Sequence, residues 1–239
     1  MADEYPDAEV IGTDVSPIQP VWVAPNVRFY VDDAEADWVH SPDSFDFIHG
    51  RHICPAIKDW PRLLQQAYEC AAPITVPIRN MFLTLSRCLK PGGWIELQEL
   101  RLSTRCDDDS MPSDYAFTGF LDNLQQGFAA FGIQLLGMEQ NRQRLKDSGF
   151  VNVEEKVWKV PIGTWPRDKR MKIIGLYNRS VIYDGLQGVS MAAYTRGLKW
   201  SATEVEVYLA DVRKSLMNAS IHSYYTFHTV YGQKPTDPS

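Results

Sequence analysis

Short apolar runs that end in acidic residues set the rhythm of the first part of this chain. Residues 9–14 pass from Glu9 through Val10 and Ile11 to Asp14, and Ser16-Pro17 then signals a turn. This predicts a buried strand with Asp14 at its C-terminal end. Residues 27–31 alternate β-branched and aromatic positions before Asp32-Asp33-Ala34, a second strand ending in acids. Residues 45–51 form a third, stopped by Gly50. Residues 61–70 carry Pro61 in a first helical turn and apolar positions at Leu63, Leu64 and Ala67, which predicts a helix. Lys90-Pro91-Gly92-Gly93 then reads as a turn feeding a buried strand over 94–100.

The second part changes character. Asp107-Asp108-Asp109-Ser110 is a loop, and residues 115–136 have helical periodicity broken by Gly119, Gly127 and Gly132. Residues 141–148 predict a helix capped by Gly149, and 150–160 a strand alternating Val151, Val153, Val157 and Val160 with charges. Residues 172–188 and 202–218 read as helices, the latter with Ser201 and Thr203 available as caps and Glu204 and Glu206 in its first turn. An aromatic strand over 221–233 closes the chain. The expectation is an α/β fold: a run of parallel strands followed by a late antiparallel pair.

At 239 residues the chain suits one domain with a substantial core, and 44% hydrophobic and 23% charged residues fit a soluble globular protein. A net charge of -6 argues against a general nucleic-acid surface, which needs clustered Lys and Arg. The basic run from Arg167 to Lys172 is short and reads as a solvated helix start. No stretch is apolar for long enough to cross a bilayer, so no membrane partner is expected. The acidic N-terminal residues Asp3, Glu4 and Asp7 are the opposite of a signal peptide's basic start. Cys54, Cys70, Cys88 and Cys106 form no CxxC pair and do not cluster with the histidines, so no metal is expected. Reduced thiols in a cytoplasmic or nuclear protein are the simplest account.

Asp14 after one strand, Asp33-Ala34 after the next and Leu89-Lys90-Pro91-Gly92-Gly93 before another together resemble the class I S-adenosylmethionine-dependent methyltransferases. More narrowly, residues 10–20, 47–51, 93–99 and 160–166 are similar to the LaeA-like fungal group associated with secondary metabolism. The resemblance runs from Glu4 to Pro235. It implies a Rossmann-like fold, mostly parallel with a C-terminal antiparallel strand pair. It also implies a single domain over 1–239, with a cofactor-binding half over 1–106 and substrate-side helices and the last two strands over 107–239. The cofactor is S-adenosylmethionine, and the methyl acceptor a small molecule or a protein.

Its implied donor site comprises Asp14 on the ribose hydroxyls, Asp33 on the adenine amino group, the Ala34 amide facing the ring, and His49 with Gly50 and Arg51 near the methionine part. A strand-end Asp also caps turns, and Arg51 also suits a structural ion pair. In Rossmann-like sites a glycine-rich loop lies roughly 20 residues before the ribose-binding acid. Counting back from Asp14 passes Met1, so that loop and the central strand before it are expected to lie outside this chain. Two strand edges are then left unpaired unless they close on each other, and donor binding is expected to be weak.

A second departure is residues 71–88, containing Pro73 and Pro77. Excising them joins Cys70 to Leu89 and restores the family pattern. The segment reads either as a retained intron or as a true insertion with helix over 80–89. For proton transfer the candidates are His49, His52 and Glu99, with His222 and His228 flanking the last strand; the sequence assigns no base among them. The aromatic supply (Trp22, Trp38, Trp165, Trp200, Tyr224, Tyr225, Phe227) suits either an apolar substrate pocket or core. Two functions follow. One is a methyltransferase of fungal secondary metabolism or its regulation. The other is a non-catalytic methyltransferase-like protein that binds a protein partner of such a pathway.

Overall fold

The computed structural model describes residues 1–68 and 88–236. Residues 71–87 of the insertion, and with them most of the helix read over 80–89, lie outside the described residues. In chain order come β1 (Val10–Asp14), β2 (Val27–Val31), β3 (Phe45–Arg51), α1 (Trp60–Tyr68) and β4 (Leu89–Arg105). Then follow α2 (Ala116–Ala129), a short 3-10 turn (Gly137–Gln140), α3 (Asn141–Asp147) and β5 (Val151–Pro161). The last elements are α4 (Lys169–Ala192) with a π turn (Ala193–Gly197), α5 (Ala202–Leu216) and β6 (Tyr224–Gln233).

The strands form two sheets rather than one. β1 and β2 make a parallel ribbon, and β3, β4, β6 and β5 lie side by side in that order. β3 runs parallel to β4, while β6 is antiparallel to both β4 and β5. The expected "mostly parallel" sheet is therefore mixed, because β6 inserts between β4 and β5 and reverses both ladders. The expected antiparallel pair is present as β5 and β6.

The edges of β1 and β3 do not close on each other: among the described residues β1 pairs only with β2, and β3 only with β4. What ties the ribbon to the body is the loop after β2. Glu35 Oε1 accepts from the amides of Lys58 and Asp59 at 2.7 and 2.8 Å, and Gln66 Oε1 accepts from Trp38 N at 3.0 Å. An Arg62–Asp37 ion pair at 2.6 Å adds to it. Asn26 Nδ2 gathers the carbonyls of Ala2, Tyr5 and Ala8 and so fastens the N-terminal turn to the start of β2.

β4 alternates inward and outward. Ile95 and Leu97 face α1 and α3, where Leu63, Leu64, Ala67, Leu145, Phe150 and Val230 complete one core cluster. A second cluster packs α2, α4 and α5 around Phe117, Phe120, Leu124, Tyr194, Leu209 and Tyr225. Burying apolar side chains at roughly 25 cal/mol per Å² makes these clusters the main favourable term of the fold. Aromatic residues that suited pocket or core divide: Tyr225 is core, Trp200 packs on Tyr194 at 5.1 Å, and Trp22 is 93% exposed.

Helix ends follow local chemistry. Ser201 and Glu204 form a reciprocal capping box at α5, and Asp168 caps α4, so the basic run begins a helix as expected. α2 stops at Ala129, short of the expected 136, where the chain turns through Gly132 at φ +75°. Gly127 stays inside α2 because a Cβ there would stand 2.6 Å from the Ala193 carbonyl oxygen.

Candidate functional site

β1 and β2 end side by side: Asp14 pairs with Val31, and Asp32 N donates to the Asp14 carbonyl at 3.1 Å. Asp14 Oδ1 accepts from Ser16 N at 2.8 Å, the turn-capping bond that a strand-end Asp makes. Asp33 Oδ1 accepts from Glu35 N at 2.9 Å, and Asp32 Oδ1 from Asp33 N at 2.8 Å, as fits a turn residue. Each carboxylate of Asp14 and Asp33 thus keeps its Oδ2 without a hydrogen bond among the described residues, and so does the Ala34 amide. Ala34 is held by its carbonyl, which accepts from Trp38 Nε1 at 2.9 Å.

The structure brings Asp14, Asp33 and Ala34 to one place and sets His49 on the other sheet. His49 pairs with Glu96 across β3 and β4, with Nδ1 3.0 Å from Glu96 Oε1; Gln98 Nε2 donates to the same oxygen at 3.0 Å. Beside this group Phe47, Trp94, Tyr231, Asp46 and Glu96 line an open depression of about 410 Å³ on the face of the sheet turned away from α1 and α3.

Glu99, a candidate for proton transfer, is not a free group. Its side chain follows Ile95 and Leu97 onto the inward face and is 3% exposed. Oε1 accepts from the amides of Ile53 and Cys54, both at 2.9 Å, and so fixes the turn that follows β3. Oε2 lies 3.9 Å from Nδ1 of His52, a half-exposed residue with a left-handed backbone at φ +54°. Beneath the turn, Cys54 contacts Asn141. Arg144 reaches Asn141 Oδ1 and the Gly137 carbonyl, and its guanidinium lies over the Trp60 ring. Burial, and then the nearby Glu99 carboxylate, push the Cys54 thiol up to about 12, so it stays protonated.

His228 has both ring nitrogens engaged, by Glu155 at 2.8 Å and Thr226 at 3.0 Å. At the far end of β4, Asp108 holds His222 through Nδ1, and the Trp165 ring stacks on His222 at 5.1 Å. Cys106 Sγ donates to Asp108 at 3.2 Å. The His222 contact, and then Ser110 and Cys106, hold the Asp108 carboxyl well below the usual range. Sequence reasoning missed this cluster. The Asp107-Asp108-Asp109 run read only as a loop, Trp165 as part of a segment similar to the family and of the aromatic supply, and His222 as a proton-transfer candidate with no partner named.

A family profile described as Methyltransferase domain matches residues 1–76. Methyltransferase pytC of Aspergillus terreus is 34% identical over 236 residues, which cover 98% of this chain and 67% of pytC. The secondary metabolism regulator LAE1 of Cochliobolus heterostrophus is 34% identical over 242 residues, covering 98% of this chain and 72% of that protein. The chain belongs to the LaeA-like methyltransferase family. A protein-methionine methyltransferase laeA of Emericella nidulans is 27% identical over 98% of this chain and 58% of its own length. Among solved structures, a Haemonchus contortus phosphoethanolamine N-methyltransferase in complex with S-adenosyl-L-methionine aligns over 98% of this chain and 45% of that one. Its identity is 19% and its TM-score 0.49.

Against the family's S-adenosylmethionine, the residues present fit one half of the ligand. Two carboxylate oxygens and an amide, all without partners among the described residues and close to the ends of adjacent parallel strands, suit a vicinal diol beside a hydrogen-bonding ring edge. For the methionine half the fit is thinner, since no Gly-x-Gly occurs in the sequence. No helix among the described residues is long and apolar enough to cross a membrane.

Proposed function

We propose that this chain is an S-adenosylmethionine-dependent methyltransferase of fungal secondary metabolism or its regulation. In this reading Asp14 accepts from the ribose hydroxyls, Asp33 and the Ala34 amide meet the adenine edge, and His49 lies toward the methionine part. The observation that carries it is the set of acceptors and the amide, uncommitted among the described residues, where β1 and β2 end together. Two charge-assisted hydrogen bonds from one carboxylate supply roughly 1.5–3 kcal/mol each. The grip of these residues therefore centres on the nucleoside. The methyl acceptor is a small molecule or a protein side chain; one relative's name makes it a protein-methionine methyltransferase.

The test is calorimetric titration with S-adenosylhomocysteine and with adenosine, on the chain and on Asp14→Ala. Binding of both ligands, lost together in the variant, supports the reading. A second reading rests on a different observation, the unpaired edges of β1 and β3 among the described residues. A methyltransferase-like protein that binds a protein partner instead of the donor would present such edges for pairing. Absence of donor binding, together with pairing of β3 with an added strand, would favour it.

A further inference from the structure

The proposed function leaves open which group takes a proton from the methyl acceptor. Of the four histidine–carboxylate pairs among the described residues, His49–Glu96 is assigned above toward the donor's methionine part and His228 has both ring nitrogens engaged, which leaves His222–Asp108 and His52–Glu99. Asp108 and His222 are closely bound, but they sit beyond Arg105. β3 ends opposite Gln98, and the residues of β4 between those points add roughly 20 Å of strand. The other pair lies directly after β3. His52 follows Arg51 without a break, its amide donating to the Gln98 carbonyl at 2.9 Å, and so it stands at the C-terminal end of the parallel pair β3–β4. Ligands of parallel sheets bind at that end.

Three features mark this pair. A carboxylate that is 3% exposed is costly to bury, and apolar neighbours would serve the core better. The backbone amides occupy only Oε1 of Glu99, the Cys54 thiol also reaches this carboxylate, and Oε2 lies 3.9 Å from His52 Nδ1. His52 also holds φ +54°, a conformation that costs a non-glycine residue about 1–3 kcal/mol and persists where the surroundings impose it. The fixed turn at Ile53 and Cys54 imposes it here. The Phe227 ring of β6 packs T-shaped against the His52 ring at 6.3 Å, and His52 Nε2 has no hydrogen-bond partner among the described residues.

We propose that His52, oriented by Glu99 through Nδ1, is the proton acceptor for a hydroxyl-bearing methyl acceptor. The inference rests on the methyltransferase reading above. The acceptor oxygen attacks the sulfonium methyl carbon and its O–H proton passes to His52 Nε2. The O–C bond forms as the C–S bond breaks, the bonding pair stays on sulfur, and His52 returns the proton to water. Glu99 stabilises the imidazolium, as the carboxylate of a catalytic triad does. The 3.9 Å separation closes on ligand binding, as catalytic contacts commonly do. A thioether acceptor needs no such group, so the pair marks an acceptor that must lose a proton.

Two measurements on the full chain test this. Nitrogen-15 NMR of the ring should show neutral His52 as the Nδ1–H tautomer, and Glu99→Gln should abolish that preference. Methyl transfer at millimolar S-adenosylmethionine should then be compared for 2-naphthol, which must lose its proton, and thiophenol, which is already ionised. His52→Asn, in which Asn tolerates the left-handed backbone, should lower the ratio of the two rates about 10²-fold. An Nε2–H tautomer in the native chain, or an unchanged ratio in the variant, overturns the inference while leaving the methyltransferase reading intact. Transfer to neither acceptor by the native chain removes both, and donor calorimetry shows whether binding or chemistry failed.

Discussion

Removing the Glu99 side chain should destabilise the protein far more than an ordinary strand substitution. In Glu99→Ala the amides of Ile53 and Cys54 lose the oxygen that accepts from both at 2.9 Å. Cys54 is buried, so water does not readily replace that acceptor. An orphaned buried donor costs about 1–3 kcal/mol, so the pair amounts to about 2–6 kcal/mol before any cavity is counted. Against a typical domain stability of about 5–15 kcal/mol this is a large fraction. Glu99→Gln keeps an amide oxygen in reach and should lose about half as much, since its bonds are no longer charge-assisted. Urea unfolding measures both, and amide hydrogen exchange locates the effect, with Ile53 and Cys54 exchanging faster than the centre of β6. The reasoning fails if Glu99→Ala unfolds within about 1 kcal/mol of the native chain. It also fails if exchange at Ile53 and Cys54 is unchanged.

Other predictions concern the remaining titratable groups. The Asp108 carboxyl is depressed by His222, so its stabilising effect is present above the ordinary carboxylate range near about pH 4 and is lost as pH falls through the lower folded value. Melting curves of the native chain and Asp108→Asn should therefore differ above about pH 4 and converge below it; a constant offset down to about pH 2 would contradict this. Burial pushes Cys54 to about 12 and Cys88 to about 11, so iodoacetamide at about pH 8 should label Cys106 and spare both in the native fold. Labelling of Cys54 at the rate of Cys106, read by peptide mapping, would show that the turn over Glu99 opens readily.

Strands that end in acids were legible because their signal is local. β1, β2 and β3 fall where the apolar runs and turn residues put them, and Asp14 and Asp33 stand at strand ends as the pattern requires. β4 was only partly legible. Its Lys90-Pro91-Gly92-Gly93 run enters the ladder rather than merely preceding it, because Gly92 N donates to the Lys234 carbonyl at 2.9 Å and Lys234 N to that of Gly93 at 2.8 Å. Its extension to Arg105 exists because β6 runs alongside as far as Tyr224. Neither fact is encoded near residue 100. Glu99 was legible in principle, since it shares the inward alternation of Ile95 and Leu97, but an acid in that register looks like a strand-end group until the turn above it is seen. The joining of Asp108, His222 and Trp165 brings three distant segments together, and no window of the sequence shows it.

The central claim is that the ends of β1 and β2 hold the nucleoside of the methyl donor. Titration of the chain with S-adenosylhomocysteine, beside Asp14→Ala, tests it most directly. Saturable binding is expected, with a loss of about 10²–10⁴-fold in the variant, the worth of two charge-assisted hydrogen bonds. Equal affinity in the two proteins would contradict it, as would no binding to the native chain at millimolar ligand.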